Sequence, residues 1–328
     1  MKAAYYDACG PAEQVLRVGQ MPEPDPGPGE VRVRVAVSGI NPSDVKTRRT
    51  GGARGNPWPR TIPHQDGAGT IDAVGQGVAP ERAGQRVWLH ECQLDRACGT
   101  AAQAVCVPAA LAVPLPEGVS FEVGAGLGVP ALTAWFCAER AGAAPGACVL
   151  VHGAVGAVGF YAAQMARLLG AQVLGTVSNA GQAELAAAAG IQTVPRGAQM
   201  PEAARAWLAE RGRADFDAAI DLDFAGNLEQ NLVLLANGGR LATYASDTDA
   251  TPALPVRQLM RRNLQAAFLL VYTMPAPLKQ RAIAQLTGWL ADGALHHPAV
   301  HAYPLEEIVQ AHLAVETRRH VGKVVVRP

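Results

Sequence analysis

The residues with the clearest capacity for chemistry lie between Val149 and Leu169. An apolar run, Val149-Leu150-Val151, enters His152-Gly153-Ala154-Val155-Gly156-Ala157-Val158-Gly159 and leads straight into the helical pattern Phe160–Leu169. Glycine lets a backbone approach a pyrophosphate closely, and the free N–H groups at a helix start, with the positive end of its dipole, stabilise the anion. Strand before and helix after are the context of a dinucleotide-binding turn, with Gly153, Ala154, Val155, Gly156 and Val158 as its candidate contacts. The fingerprint is slightly off pattern. With Gly156 and Gly159 as its last two glycines, Ala154 stands where the first normally sits.

The kind of nucleotide is read from the end of the next strand, Val173-Leu174-Gly175-Thr176-Val177-Ser178-Asn179. An NAD site normally offers an acid there to the ribose hydroxyls. Ser178 and Asn179 are small and uncharged, so they leave room for a 2′-phosphate without repelling it, and NADPH is the expected cofactor. Arg196 is a candidate cation for that phosphate or an ordinary solvated arginine.

These residues need a parallel sheet to hold them. Short apolar strands at Cys148–Val151, Gln172–Thr176, Phe216–Asp221, Arg240–Tyr244 and Leu264–Tyr272 alternate with helical patterns near 157–169, 181–189, 201–211 and 227–236. Parallel strands need crossover connections, so this alternation predicts a doubly wound α/β domain. Before it, from Lys2 to about Pro116, the chain is rich in Pro and Gly. There the run Val31-Arg32-Val33-Arg34-Val35-Ala36-Val37 alternates at period two, which predicts a β-rich, barrel-like half. After Gly293 comes a short tail with one amphipathic helix, Leu305 to about Thr317, and a final strand, Lys323–Arg327; it is too small to stand alone and is expected to rejoin the N-terminal half. The expected domains are 1–120 with 293–328, and 121–292.

Composition narrows the partners. Lys+Arg and Asp+Glu balance at 28 each, which removes the positive field that gathers nucleic acid or anionic membrane. No run approaches the roughly 18 apolar residues of a membrane span, and an acid, Asp7, interrupts the first residues before any signal-peptide core forms. The six cysteines show no C-x-x-C pair, so reduced thiols and a cytoplasmic location are expected.

Several segments in one order resemble the quinone oxidoreductase and zeta-crystallin branch of the medium-chain dehydrogenase/reductase superfamily. They are Gly39-Ile40-Asn41-Pro42-Ser43-Asp44, Gly67-Ala68-Gly69-Thr70, Ala83-Gly84-Gln85-Arg86-Val87, Gly128 to Ala134, Val151-His152-Gly153-Ala154 and Gly322-Lys323-Val324. The resemblance implies a GroES-like β-barrel domain, a Rossmann domain with NADPH in the cleft, and a homodimer. By position in the family pattern, Thr133 approaches the nicotinamide, Ser178 the ribose phosphate, Tyr244 to Ser246 the middle of the cofactor, and Phe268, Leu269 and Val271 the carboxamide; Lys323 joins this cofactor set. Gln182 stands where relatives often carry a phosphate-binding lysine.

Zinc-containing relatives place a Cys and a His where this chain has Asn41 and Gln65, and amides are not usual ligands of Zn²⁺. No metal is expected. His90, Cys92 and Cys98 lie close in sequence, but their spacing fits no standard site, and buried thiols with a satisfied histidine are the plain reading. Without a Lewis acid, alkoxide stabilisation is lost, whereas hydride addition to a conjugated acceptor spreads charge into an enolate or hydroquinone. The expected activity is therefore NADPH-dependent reduction of a small quinone or enone, with Asn41, Gln65 and Lys46 as candidate catalytic groups. Lys46 is a proton donor or a solvated lysine, and Trp58 walls a pocket or caps the barrel. The alternatives are an enoyl-thioester or haloacrylate-type reductase, and an NADPH-binding protein without turnover. The apolar run Leu264–Tyr272, if it forms a sheet edge, favours a homodimer.

Overall fold

The alternating valines build an 11-residue strand, Glu30–Ile40. Val31, Val33, Val35 and Val37 are buried, while Arg32 and Arg34 on the other face donate to Asp72 across the sheet at 2.8 and 2.6 Å. Three antiparallel partners share this strand: Asp66–Val74 along most of it, Ala104–Pro108 along its first half and Lys323–Arg327 along its end. Register shifts at Arg32/Val33 and Val35/Val37 bend it. The sheet runs Val300–Pro304, Lys323–Arg327, Glu30–Ile40, Asp66–Val74, Arg86–Leu89, Ala112–Pro114, with Ala104–Pro108 as a seventh strand on Glu30–Ile40. The tail thus joins the N-terminal half. It brings an edge strand, Val300–Pro304, that the sequence pattern had not predicted, and a helix, Ile308–Glu316, whose Ile308, Ala311 and Ala314 pack with Ile40, Val45 and Val324.

This computed structural model describes residues 1–52 and 55–328. Residues 53–54 lie outside the described residues. Packing groups Met1–Pro130, Thr287–Asp292 and Ala299–Pro328 into one unit, and Ala131–Leu286 with Gly293–Pro298 into a second.

The second unit carries a six-stranded sheet in the order Gln192–Pro195, Gln172–Val177, Cys148–Val151, Phe216–Asp221, Leu235–Thr243, Gln265–Phe268, every pair parallel. In chain order that is 3-2-1-4-5-6, the doubly wound dinucleotide-binding topology. Helices Ala157–Leu168, Ala180–Ala188, Met200–Ala209, Phe224–Leu234 and Val256–Arg261 make the five crossovers. Two predictions fail in detail. The third strand, Gln192–Pro195, is only four residues long, half polar and closed by a proline, so it carries no apolar signal. The run Leu264–Tyr272, expected as one strand, pairs only over Gln265–Phe268 before a 3-10 turn at Val271–Thr273.

Candidate active site

Sheet topology places most of the expected cofactor residues along one edge. Gly153 follows Cys148–Val151, Ser178 and Asn179 follow Gln172–Val177, Arg196 follows Gln192–Pro195, Tyr244 to Ser246 follow Leu235–Thr243, and Phe268 ends Gln265–Phe268. All are at the carboxyl ends of parallel strands, where open α/β sheets bind ligands.

The turn itself is built by its glycines. Gly153 has φ +66°, a left-handed conformation that other residues rarely adopt. A Cβ on Gly159 would lie 2.3 Å from the Gly153 carbonyl oxygen, so the helix packs on the turn only because that atom is missing. Three of the turn's amides are already used. Gly153 N–H donates to Thr176 Oγ1 and Ala154 N–H to Thr176 O, both at 3.0 Å. The Gly156 N–H donates to Gly153 O, also at 3.0 Å. Gly156 is the N-cap of helix Ala157–Leu168 and no side chain caps it. The amides of Ala157, Val158 and Gly159 therefore lack partners by helical geometry and stand at the positive end of the dipole. That is the anion cradle the residues can offer a diphosphate. Beneath it, His152 Nε2 donates to Asn231 Oδ1 at 2.9 Å and Asn231 Nδ2 to Asp221 Oδ2 at 2.8 Å, tying two central strands together.

At the neighbouring strand end, Asn179 Oδ1 accepts from Gln182 N–H at 3.0 Å and Gln182 Oε1 accepts from Ser178 N–H at 2.8 Å. Asn179 and Gln182 thus cap helix Ala180–Ala188 reciprocally, and the exposed Ser178 side chain is left to face solvent. The Arg196 N–H donates to Val177 O at 2.8 Å, which brings Arg196 to the same strand end as Ser178. Thr133 is buried on helix Leu132–Ala141. Tyr244 N–H donates to Asp221 O at 3.2 Å, and Leu269 N–H to Thr243 O at 2.8 Å. Burial pushes the Tyr244 phenol well above its ordinary value. Ser246 Oγ accepts from Ala225 N–H and donates to Asp249 O. Phe268 is exposed and packs edge-on against Phe224, and Val271 is buried.

The first unit holds the other candidates in a buried polar cluster. Asn41 Nδ2 donates to Asp66 Oδ2 at 2.7 Å, Lys323 Nζ donates to Asn41 Oδ1 at 2.5 Å, and Lys323 Nζ lies 3.5 Å from Asp66 Oδ2. Asp66 also accepts from Val129 N–H, in the π-helical turn Leu127–Ala131. Asp44 accepts from Asn41 N–H at 2.7 Å and from Gln65 N–H at 3.1 Å. Gln65 Oε1 accepts from Gln93 N–H at 3.1 Å. Burial, with the Asp66 carboxylate nearby, pushes Asp44 up to about 7. Burial also raises Asp66 and lowers Lys323, so each disfavours its own charge. Two carboxyls and one ammonium in a site closed to water approach neutrality when one carboxyl keeps its proton, and Asp44 is the one placed to keep it.

Asn41, Gln65 and Lys323 are thus drawn together, and each is already hydrogen-bonded within the protein. Lys46, by contrast, is exposed on helix Pro42–Thr50. Asp44 and Asp66 were not among the residues singled out for chemistry, although the Asn41-x-x-Asp44 spacing of a helix cap was visible. The amides of Asn41 and Gln65, with Asp66 held by Lys323, do not make a zinc ligand set. Among the described residues no group of three or more His, Cys, Asp or Glu side chains is placed to hold a metal ion. His90 and Cys92 are buried, but Cys98 is exposed, and neither His90 ring nitrogen has a hydrogen-bond partner.

Two family models match the chain: the alcohol dehydrogenase GroES-like domain over residues 27–117 and the zinc-binding dehydrogenase over residues 189–326. Among solved structures it is similar to the quinone oxidoreductase of Thermus thermophilus, at 32% identity and TM-score 0.84 with both chains covered completely. It is also similar to the Escherichia coli quinone oxidoreductase in complex with NADPH, at 25% identity and TM-score 0.85, again over 100% of both chains. The human quinone oxidoreductase is 28% identical over 277 residues, 84% of this chain and 81% of the relative. With the GroES-like and parallel-sheet units both present, the chain belongs to the quinone oxidoreductase branch of the medium-chain dehydrogenase/reductase superfamily, a family of oxidoreductases.

Proposed function

We propose that this protein reduces quinones and related α,β-unsaturated carbonyl compounds by hydride transfer from NADPH, without zinc. The observation that carries the reading is the uncapped helix start at Ala157–Gly159 beside a strand end that presents Ser178 and Arg196 and no acid. NADPH, when bound, supplies the hydride; Ala157, Val158 and Gly159 hold its diphosphate through backbone amides, and Ser178 and Arg196 accommodate the 2′-phosphate. Thr133, Tyr244, Phe268, Leu269 and Val271 line the positions expected for the rest of the cofactor. The amide donors at 41 and 65 support the zinc-free reading, because the charge that develops on the acceptor then has to be met by hydrogen-bond donors rather than a Lewis acid. The relatives named quinone oxidoreductase, one of them in complex with NADPH, support the same substrate class.

The decisive experiment is NADPH and NADH oxidation followed at 340 nm with 1,4-benzoquinone, 9,10-phenanthrenequinone and a small set of enones, before and after dialysis against a chelator. Turnover with NADPH that survives chelation is the expected result. Tight NADPH binding with no acceptor supporting turnover would instead favour a binding protein.

A homodimer through the edge strand Gln265–Phe268 belongs to the same proposal. Val256, Met260 and Phe268 are 55%, 69% and 65% exposed around that edge, an apolar surface a second copy would cover. Light scattering at low concentration tests it, and a monomer of 34.2 kDa would refute it. The six free thiols suit a reducing compartment such as the cytoplasm.

A further inference from the structure

Asp221, Asn231 and His152 form a buried chain at the foot of the glycine turn, all within the second unit. Val151 pairs with Ile220 on the parallel strands Cys148–Val151 and Phe216–Asp221, so His152 and Asp221 are the next positions on each, at the carboxyl end where the turn begins. The His152 N–H continues the ladder to Ile220 O at 2.9 Å. Up to that level the two strands bury apolar side chains, Leu150 and Val151 beside Ala219 and Ile220. At His152 and Asp221 the buried side chains become polar, with His152, Asp221 and Asn231 only 3%, 0% and 1% exposed.

Burying a carboxyl and two polar side chains costs desolvation that an apolar set of the same volume avoids. What the apolar set lacks is direction, and each bond of this chain has one. Asp221 Oδ1 accepts from Asp223 N–H at 2.8 Å and from Asn227 Nδ2 at 2.7 Å, and Oδ2 accepts from Asn231 Nδ2 at 2.8 Å. Asn227 and Asn231 stand one turn apart on helix Phe224–Leu234, so one carboxyl collects both. With its Nδ2 committed to Asp221, Asn231 offers His152 only its carbonyl oxygen, 2.9 Å from Nε2. An amide oxygen accepts and cannot donate, so Nε2 carries a ring proton. The backbone of Asp221 is used too, its carbonyl accepting from Tyr244 N–H at 3.2 Å. One residue thus ties down the start of the glycine turn and the start of 244–246, two stretches read above as cofactor contacts.

We propose that Asp221 and Asn231 are positioning residues of the dinucleotide site: acting through His152, they hold the turn at 153–159 in the setting that receives the diphosphate. The inference rests on the cofactor reading of that turn. Reversing the sense of the chain should disturb the turn while the volume of the core stays the same, and Asp221→Asn does so. The new amide keeps its oxygen toward Asp223 N–H and Asn227 and turns its NH₂ to residue 231. Asn231 then flips and presents its own NH₂ to Nε2, which moves the ring proton to Nδ1. Adding Asn231→Asp restores the original sense, because a carboxylate at 231 accepts both from the amide at 221 and from the Nε2–H of His152.

The test compares wild type, D221N and the D221N/N231D double variant as full-length proteins. NADPH Kd comes from fluorescence titration, and KM and kcat from turnover with 1,4-benzoquinone. The His152 tautomer is read by ¹⁵N-histidine NMR of the nucleotide-free protein in alkaline buffer, its resonances assigned by their loss in His152→Gln. The ring proton is expected on Nε2 in wild type, on Nδ1 in D221N and on Nε2 again in the double variant. NADPH Kd and KM should rise about tenfold in D221N with kcat within about twofold, and return to within about threefold of wild type in the double variant. A D221N protein that binds NADPH as wild type does would overturn the positioning role and leave the cofactor reading standing; so would a double variant that binds no better than D221N. Wild type with its proton on Nδ1 would overturn the role without any variant. If D221N alone does not fold, the double variant decides by the same Kd, and if neither folds, the chain is a requirement of the fold and the proposal is overturned. No saturable NADPH binding by wild type would overturn the cofactor reading as well.

Discussion

The turn at 153–159 and the cluster around Asp66 are both polar sites set in apolar surroundings, yet they are made of different material. The turn is almost all backbone: glycine conformations, helix-end amides and one threonine, Thr176, with no ionisable side chain at the cradle itself. The cluster is almost all side chain: two carboxyls, an ammonium and three amides drawn from segments as far apart as Asn41 and Lys323. A backbone site is sensitive to volume and tolerant of charge chemistry. A side-chain site is sensitive to removal of any one partner, since each charge is buried on account of another.

The largest effect is expected where a buried charge is stranded. Lys323→Met leaves the carboxylate of Asp66 with only Asn41 and the Val129 amide, and should lower unfolding free energy by about 3–5 kcal/mol in urea denaturation. Neutralising its partner as well, in Lys323→Met with Asp66→Asn, should recover part of that loss. A single variant as stable as wild type would mean that the cluster is not electrostatically coupled. On the other side of the comparison, Gly159→Val places carbon where only 2.3 Å separates an ideal Cβ from the Gly153 carbonyl. NADPH affinity by titration calorimetry is expected to fall at least about 100-fold, roughly 2.7 kcal/mol, with circular dichroism still reporting the sheet and helices. An unchanged affinity would remove the turn from the binding site.

The same difference explains what the sequence disclosed. A backbone site leaves a local signature, because strand, glycines and helix are contiguous. Residues 149–169 therefore announced the fold of their unit and the turn's chemistry together. The barrel-like half was legible from Val31 to Val37 for the same reason. Of the cluster, the sequence marked Asn41, Gln65 and Lys323 one by one, but neither Asp44 nor Asp66 and none of the contacts that join them. Its closure by Lys323 spans 282 positions, and no periodicity carries that information. The strand Gln192–Pro195 escaped because a short, polar edge strand is formed by its neighbour rather than by its own pattern.

A second buried set in the first unit allows the side-chain region to be separated into opposing parts by pH. His64 Nε2 and His312 Nε2 are 2.9 Å apart, His64 Nδ1 meets Ser38 Oγ at 2.8 Å, and burial pushes His64 well down and His312 down to about 3. The unfolded histidines take up protons near pH 6.5 while the folded ones do not, so stability is lost as pH falls below that value. Asp44 acts in the other sense. Its folded value of about 7 lies above the ordinary carboxyl, so the folded state holds a proton that the unfolded state has released, and its contribution declines as pH rises from about 4 to 7. Asp44→Asn removes only this second part. The variant should therefore lose stability more steeply than wild type between pH 7 and 4, by about 2 kcal/mol over the range if one to two pKa units of the shift are expressed. Parallel denaturation curves for the two proteins would place Asp44 outside the buried set.

The smallest expected effect tests how far the backbone site also chooses its ligand. Ser178 is the exposed residue at the strand end where an acid would select NADH, and its own N–H is already taken by Gln182. Ser178→Glu adds a charge there without altering the turn, so the affinity for NADH should be held or improved while that for NADPH falls about tenfold, roughly 1.4 kcal/mol. The salt dependence sharpens the reading. If Arg196 meets the 2′-phosphate, NADPH binding by wild type weakens with ionic strength more than NADH binding does, and Arg196→Gln abolishes that difference while leaving NADH affinity alone. Equal losses for both nucleotides in Ser178→Glu would mean that the strand end contacts the adenosine without reading its phosphate, and cofactor choice would then have to be made elsewhere along the sheet edge.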